Sequence, residues 1–531
     1  MRSYLSNPRL AALPFAVLVT SAALLATPAL LPRGHAYFQA DFEGTNALQG
    51  WNGAARVEGG HPTGQALIVA SESSRTPPTS LVSVVLPAEA MRGYLVRGSA
   101  MVRAEDVGSP PNSWNGIKCM LAIETPDQKL WPQAEVGTGT FDWRRVGFTV
   151  RVPTNATKAT LVLGLEQVSG KVWFDDVNIR VARPPVSREV AARAGPPFKG
   201  HALPRLRGAM VSPNIDSAGL RLLGRDWKAN LIRWQLIRHG RPGQPSSLDD
   251  YDAWLEGELK KLDAALPLCR ENGLYVVVDL HSPPGGKATV SGYVGSDDRL
   301  FTNPACQEKF VRLWERIAAR YKDAQPIWGY DLANEPVEDF VEDGCDDWQA
   351  LAERAARAIR AIDATRAIIV EPASWGGPGG LVDLVPLSVS NVVYSVHMYI
   401  PHAFTHQGVH GAGPAYHYPG MIEGKLWDKP QLEAALQPVI EFQRTYGVHI
   451  YIGEFSAIRW APDGSACRYL NDLIAIFEAH DWDWSYHAFR EWSGWSVEHG
   501  SDCDHTRPVG EPTDRQRLLQ RWFSENEKPN W

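Results

Sequence analysis

Two rhythms of hydrophobic and polar positions divide the chain. Between residues 37 and 182 the apolar runs are short, as at 80–86, 118–123, 146–152 and 159–165. They alternate or are β-branched, and Gly, Pro, Asn and Asp punctuate them. No helical period intervenes, so this stretch is expected to be an all-β, jelly-roll-like sandwich. It closes on GKVWFDDVNIRVA, a strand of alternating character at Val172, Phe174, Val177 and Ile179. The adjacent Asp175 and Asp176 read as turn chemistry, with a structural calcium as the sharper alternative.

From residue 205 the pattern becomes strand, helix, strand, helix. Eight apolar strands are expected at 206–212, 229–236, 274–281, 327–336, 367–375, 391–399, 449–457 and 482–489. Between the second and third, Leu255, Leu259, Leu262, Leu266 and Cys269 mark one helical face, and Gly273 stands where that helix should stop. Trp348, Leu351, Ala355, Ile359 and Ile362 do the same between the fourth and fifth. Strands that are apolar on both faces and alternate with helices fit a closed (β/α)₈ TIM barrel over 205–531. An open doubly wound sheet is the rival, but no Gly-rich phosphate loop follows the first strand.

The remaining segments are a leader and a linker. Arg2 and Arg9 precede an uncharged apolar run from Ala11 to Leu31, and Gly34-His35-Ala36 supplies small residues for cleavage. Residues 1–36 therefore read as a signal peptide, with a retained membrane anchor as the competing reading. In both cases the bulk of the chain is expected outside the cytoplasm, secreted or periplasmic. Residues 183–204, rich in Pro, Ala, Arg and Gly, read as a flexible linker. Of six cysteines, Cys119 and Cys269 are expected as buried thiols, while Cys306, Cys345, Cys467 and Cys503 lie near loops and could form one or two bridges. A net charge of −7 gives no basic field for nucleic acid. Twenty tryptophans give a mild indication of sugar stacking.

Barrel enzymes carry their working groups at the C-terminal ends of the strands. Here those ends read Arg233, His281, Asn334-Glu335, Trp375, His397 with Tyr399, and Glu454. Six polar or aromatic endings in one register are hard to explain as solvated loop residues. Glu335 ends the fourth strand and Glu454 the seventh, so barrel closure can bring them across one cleft. Retaining glycoside hydrolysis needs such a pair, one carboxyl as acid then base and the other as nucleophile, about 5 Å apart. Arg233 and Tyr399 are suitable donors to keep Glu454 ionised.

These motifs resemble glycoside hydrolase family 5, the cellulase-like retaining barrels. The resemblance covers roughly residues 205 to 500 and rests on NEP at Asn334-Glu335-Pro336 and GEF at Gly453-Glu454-Phe455. Arg233 in NLIRW, His281 in VVVDLH, and His397 with Tyr399 in VHMY match further positions. The resemblance implies Glu335 as acid/base and Glu454 as nucleophile. It also implies Asn334 on the sugar 2-hydroxyl, Arg233 and Tyr399 supporting the nucleophile, and His281 and His397 binding substrate. The chain departs from the pattern at the end of strand eight, where His487 stands in place of a stacking tryptophan. Trp492 is the expected replacement, with Trp495 as the other candidate. FQADFEG and VWFDDV resemble carbohydrate-binding modules, in which glycan binding and a purely structural role are both open.

Four histidines, His402, His406, His410 and His417, follow strand six; a metal site is the sharp reading, but no helical i, i+4 pair or neighbouring carboxylate cluster supports it. Trp375 is either a sugar platform or a loop anchor. The expected protein is a monomeric hydrolase of β-glucan, cellulose or mannan type that needs no cofactor and no metal. It contacts membrane only if the leader stays. The rivals are an exo-acting β-glycosidase or transglycosylase, a glycolipid glycosidase, and a non-catalytic glycan-binding protein.

Overall fold

A computed structural model describes residues 30–72, 79–185, 196–239, 247–286, 299–411 and 413–531. The expected signal peptide, apart from residues 30–36, and the middle of the expected linker lie outside these described residues. No helix among them is long and apolar enough to cross a membrane.

The first unit is a sandwich of two antiparallel sheets. One holds β1 (Ala36–Ala40), β2 (Arg56–Gly59), β3 (Gln65–Ser71), β5 (Leu95–Val107), β8 (Gly139–Arg151) and β10 (Gly170–Arg183), in the order β2-β3-β10-β5-β8 with β1 also on β10. The other holds β4 (Ser80–Leu86), β6 (Gly116–Glu124), β7 (Lys129–Leu130) and β9 (Lys158–Glu166), in the order β4-β9-β6-β7. Strand β10 explains its own uneven alternation. Val172 and Phe174 face the core, then the inward set changes phase to Val177, Ile179 and Val181. The register with β5 shifts between Asp175 and Asn178, and Asp176 has φ of +47°. A bulge that inserts residues into one strand resets the period of two, as the phase change requires. Asp175 accepts the N–H groups of His61 and Asp176, each at 2.8 Å, which is turn chemistry.

The second unit is a closed barrel of eight parallel strands. In order they are β11 (Arg207–Val211), β12 (Leu231–Gln235), β13 (Tyr275–Asp279), β14 (Ile327–Asp331), β15 (Ala367–Val370), β16 (Val392–Met398), β19 (Ile450–Phe455) and β20 (Asp483–Phe489), which returns to β11. A small hairpin, β17 (Gly420–Ile422) with β18 (Lys425–Trp427), interrupts the alternation. The helix Tyr251–Glu271 buries Leu255, Leu259, Leu262, Leu266 and Cys269, the face expected from spacing. Gly273 follows it at φ of +65°, a left-handed position that glycine occupies without a Cβ penalty. Asp347 caps the helix Trp348–Ile362 by accepting the Ala350 N–H. A leucine such as Leu259, fully buried between helix and barrel, would cost about 2–5 kcal/mol if cut to alanine.

Two further expectations change. Residues 196–204, read as flexible linker, are fitted under the floor of the barrel. The Trp328 indole donates to the Lys199 carbonyl, Phe198 and Leu203 pack on the floor cluster, and His201 meets Asp483 at 2.7 Å. Asp483 also meets His449 at 2.6 Å and accepts the Leu206 N–H. Composition pointed to a linker, but a few anchoring side chains suffice to fix such a segment. The bridges considered among the loop cysteines do not form, since Cys345, Cys467 and Cys503 are all thiols. Cys119 and Cys269 are fully buried thiols, as their apolar settings implied.

Sandwich and barrel meet through an arginine face. Arg33, Arg97, Arg145, Arg180 and Arg183 lie 3.3–3.9 Å from Glu338, Glu342, Asp343 or Asp347. Arg97 also covers the Phe340 ring, and Arg151 pairs with Asp383. All but the last of these acceptors belong to the loop after β14. The sandwich thus grips the loop that carries Glu335.

Candidate active site

The centre of the site is a guanidinium among carboxylates. Arg233, inward-facing on β12 and fully buried, reaches Glu454 at 2.6 Å, Glu371 at 2.9 Å, Asp331 at 2.9 Å and Asp279 at 3.0 Å. Its Nη2 also donates to the Asn334 side-chain oxygen at 3.1 Å. One guanidinium cannot neutralise four buried anions. Burial raises Asp331 well above the usual carboxylate range, which favours its neutral form and removes part of the excess.

His281, at the end of β13, is oriented on both sides. Its Nδ1 lies 2.8 Å from Asp279, and its Nε2 lies 3.4 Å from the Asn334 amide. Asp279 can only accept and the amide nitrogen can only donate, so the imidazole carries its proton on Nδ1. Asn334 is thereby held from two directions, beside the buried Glu335.

Glu335 sits at φ of +42°, a left-handed backbone that non-glycine residues seldom adopt. Its N–H donates to Glu371 Oε2 at 2.8 Å, and its side chain meets His397 Nδ1 at 2.9 Å. His397 Nε2 in turn lies 3.1 Å from Glu371 Oε1. Burial would lower the basicity of His397, but Glu371 and Glu454 outweigh it and raise His397 well above its ordinary value. As an imidazolium it bridges the two glutamates.

Glu454, at the end of β19, is fully buried. Arg233 donates to Oε1, and the Tyr399 hydroxyl donates to Oε2 at 2.9 Å. His487 Nδ1 lies 3.2 Å from Oε2 and His397 Nδ1 lies 3.7 Å away. Burial would push the carboxyl up, yet the cationic rings of His397 and His487 and the Arg233 guanidinium hold it well below the usual range. A carboxylate oxygen of Glu335 and one of Glu454 lie within 4.8 Å of each other. Carboxyls about 5–5.5 Å apart suit a covalent glycosyl intermediate, whereas about 6.5–9.5 Å leaves room for an attacking water.

Arg233, His281, Asn334, Glu335, His397, Tyr399 and Glu454 are therefore brought together. Trp492 stands on the rim with 40% of its surface exposed, and the indole next to His487 and Tyr399 is Trp495, at 6.0 Å from each ring. Trp492 packs edge-on against Trp495 and Trp460. Trp375 is also exposed, at φ of +57°. His402 and His406 stack face to face at 3.8 Å, while His417 turns to Asp463.

Sequence reasoning missed Glu371, Asp279, Asp331 and Glu491. Glu371 had a readable signal, because AIIVEP ends an apolar strand on a glutamate as the other strands end on polar groups. Asp279 and Asp331 are the last residues of β13 and β14 but lie within the longer apolar runs of the sequence, two and three residues before His281 and Asn334. Only the barrel pleat reveals that they face inward beneath the site.

The sequence model described as cellulase (glycosyl hydrolase family 5) matches residues 199–498. Endoglucanase C of Acetivibrio thermocellus is 30% identical over 262 residues, covering 44% of this chain and 73% of the relative. Cellodextrinase A of Ruminococcus flavefaciens is 27% identical over 235 residues, covering 43% and 66%. Among solved structures, endoglucanase Cel5A of Thermotoga maritima is 25% identical, with a TM-score of 0.45 over 59% of this chain and 96% of that one. With more than half its length matched by the family model, the chain belongs to glycosyl hydrolase family 5.

Proposed function

We propose that this glycoside hydrolase cleaves β-linked glucan, or a related β-linked glycan, by double displacement with net retention. The observation that carries the reading is the pair Glu335 and Glu454, with carboxylate oxygens within 4.8 Å of each other. Glu454, held ionised by Arg233, Tyr399 and two histidines, attacks the anomeric carbon while Glu335 gives its proton to the departing oxygen. Glu335 then takes a proton from water, the water oxygen bonds to the anomeric carbon, and the Glu454 ester oxygen leaves as carboxylate. Asn334, fixed by Arg233 and His281, is placed to hold the neighbouring sugar hydroxyl. The names of the endoglucanase relatives favour β-glucan as substrate and internal cleavage.

The same reading extends to the whole chain. Residues 1–36 act as an export signal, 37–182 form a module resembling carbohydrate-binding modules, 183–204 connect it, and 205–531 form the catalytic barrel of a secreted or periplasmic monomer. The test of the chemistry is sugar release from β-glucans, mannans and xylans by the parent and by Glu454→Ala, with the first-formed anomer followed by proton NMR. Release of the β-anomer by the parent and none by the variant supports the proposal. A first-formed α-anomer, or equal activity in the variant, overturns it.

A further inference from the structure

His487 ends β20 in a setting that differs from a sugar-stacking platform. Both of its ring nitrogens are engaged by carboxylates: Nδ1 lies 3.2 Å from Glu454 Oε2, and Nε2 lies 3.3 Å from Glu491 Oε2. The Tyr399 hydroxyl also meets Nδ1. Glu491 is itself placed by a second strand, since the Gln235 amide on β12 donates to its Oε2 at 2.8 Å. The series Gln235, Glu491, His487, Glu454 therefore runs across the site from β12 to β19.

We propose that His487, oriented by Glu491 and Gln235, is a positioning residue that supplies the nucleophile Glu454 with a further fixed cation beside Arg233 and His397. The inference rests on the reading of Glu454 as nucleophile given above. A neutral imidazole has one N–H, so it can donate to only one of the two glutamates. Between two carboxylates only the doubly protonated ring presents an N–H toward each, and the local chemistry agrees. Burial would lower the basicity of His487, but Glu454 and Glu491 outweigh burial and push it up to about 10. Other groups bear on this ring. Tyr399 approaches from the end of β16, Trp495 packs on it at 6.0 Å, and the half-buried His406, pushed down to about 3 chiefly by burial, adds no cation beside it. Of the nearby ionisable side chains, Glu454 and Glu491 favour its charged form. The consequence is an anchor of charge on Glu454 Oε2 that complements Arg233 on Oε1 and persists into alkaline solution.

The test is the pH profile of kcat and KM for the parent, Glu491→Gln, His487→Gln and the double variant on one β-glucan. Glu491→Gln removes the anion at Nε2, so the alkaline limit of kcat should move to lower pH by at least about one unit. His487→Gln should lower kcat by about tenfold to hundredfold with little change in KM, the loss of one charge-assisted contact to the nucleophile. In the double variant the Glu491 change should add less than about twofold, because its effect passes through His487. Should His487→Gln fail to fold, histidine Cε1 NMR titration of the parent and Glu491→Gln reads the same charge directly, and His487 should titrate at lower pH in the variant. An alkaline limit unmoved in Glu491→Gln, or effects that multiply independently, overturns the inference. Glu454→Ala is run alongside: if it stays active, the nucleophile assignment itself has failed, and if it is inactive, only the role of His487 is in question.

Discussion

Replacing Glu371 by glutamine is the most informative perturbation of the site, because this fully buried side chain touches the machinery at three points. Its carboxylate accepts the Glu335 N–H at 2.8 Å and an Arg233 N–H at 2.9 Å, and it faces His397 Nε2 at 3.1 Å. Glutamine keeps the shape and one acceptor oxygen. Its amide nitrogen must then face either the Glu335 N–H or the Arg233 and His397 donors, so a donor meets a donor. A hydrogen bond involving a charged group contributes about 1.5–3 kcal/mol, and one such bond is lost outright while another is weakened. With about 1.4 kcal/mol per tenfold in rate, kcat should fall by roughly 30-fold to 1000-fold. KM should change by less than about threefold, because the lost contacts orient Glu335 and Arg233 rather than the sugar. Steady-state kinetics on a soluble β-glucan, with circular dichroism to confirm folding, measures both. The reasoning is refuted if folded Glu371→Gln keeps kcat within threefold of the parent, or if the loss falls entirely on KM.

The remaining predictions concern catalysis, pH and the floor of the barrel. Azide added to Glu454→Ala should yield the α-glycosyl azide and added to Glu335→Ala the β-glycosyl azide, since the first variant lacks the nucleophile and the second only the proton donor and base; product NMR decides. Glu338 is pushed up to about 7 by burial from an ordinary value of 4.5. A carboxyl raised in the folded state binds more protons than the unfolded chain between those values, so stability should fall by up to about 3 kcal/mol from pH 4.5 to 7. Glu338→Gln should flatten that slope in denaturant titrations. Asp483 is buried, but His449 and His201 outweigh burial and hold it below the usual range. Its contribution is present above an unfolded pKa of about 3.9 and is lost as pH falls further. Asp483→Asn, which breaks a buried charged cluster, should cost about 3–5 kcal/mol at neutral pH and lower Tm accordingly.

The barrel was readable because each strand is buried on both faces and each helix carries a single apolar stripe. Glu335 and Glu454 were readable because a charge ending an apolar run has few structural explanations. Asp279 and Asp331 were hidden because they sit within runs, where a lone acid can face inward, outward or into a turn. Glu491 was hidden for another reason: its meaning comes from His487 and Gln235, contributed by two other strand ends. The phase change in β10 was visible in the spacing of Phe174 and Val177, but only the shift in pairing identifies it as a bulge. The anchoring of residues 196–204 depends on His201 meeting Asp483, almost 300 positions away, and no local composition encodes such a partner.

The arginine face of the sandwich has a consequence for how the molecule melts. Arg183 lies 3.3 Å from Asp347, the residue that caps the helix Trp348–Ile362, and both side chains are largely shielded from solvent. The end of the last sandwich strand thus shares a carboxylate with the first turn of a barrel helix, and the intervening loop carries Glu335. Separating the two units would expose a buried helix cap and leave several acidic side chains without their cations. Two domains joined only by a tether melt independently, whereas units with such a shared seam lose their structure together. A scanning calorimeter should therefore record one endotherm for sandwich and barrel, and Arg183→Ala should split it into two.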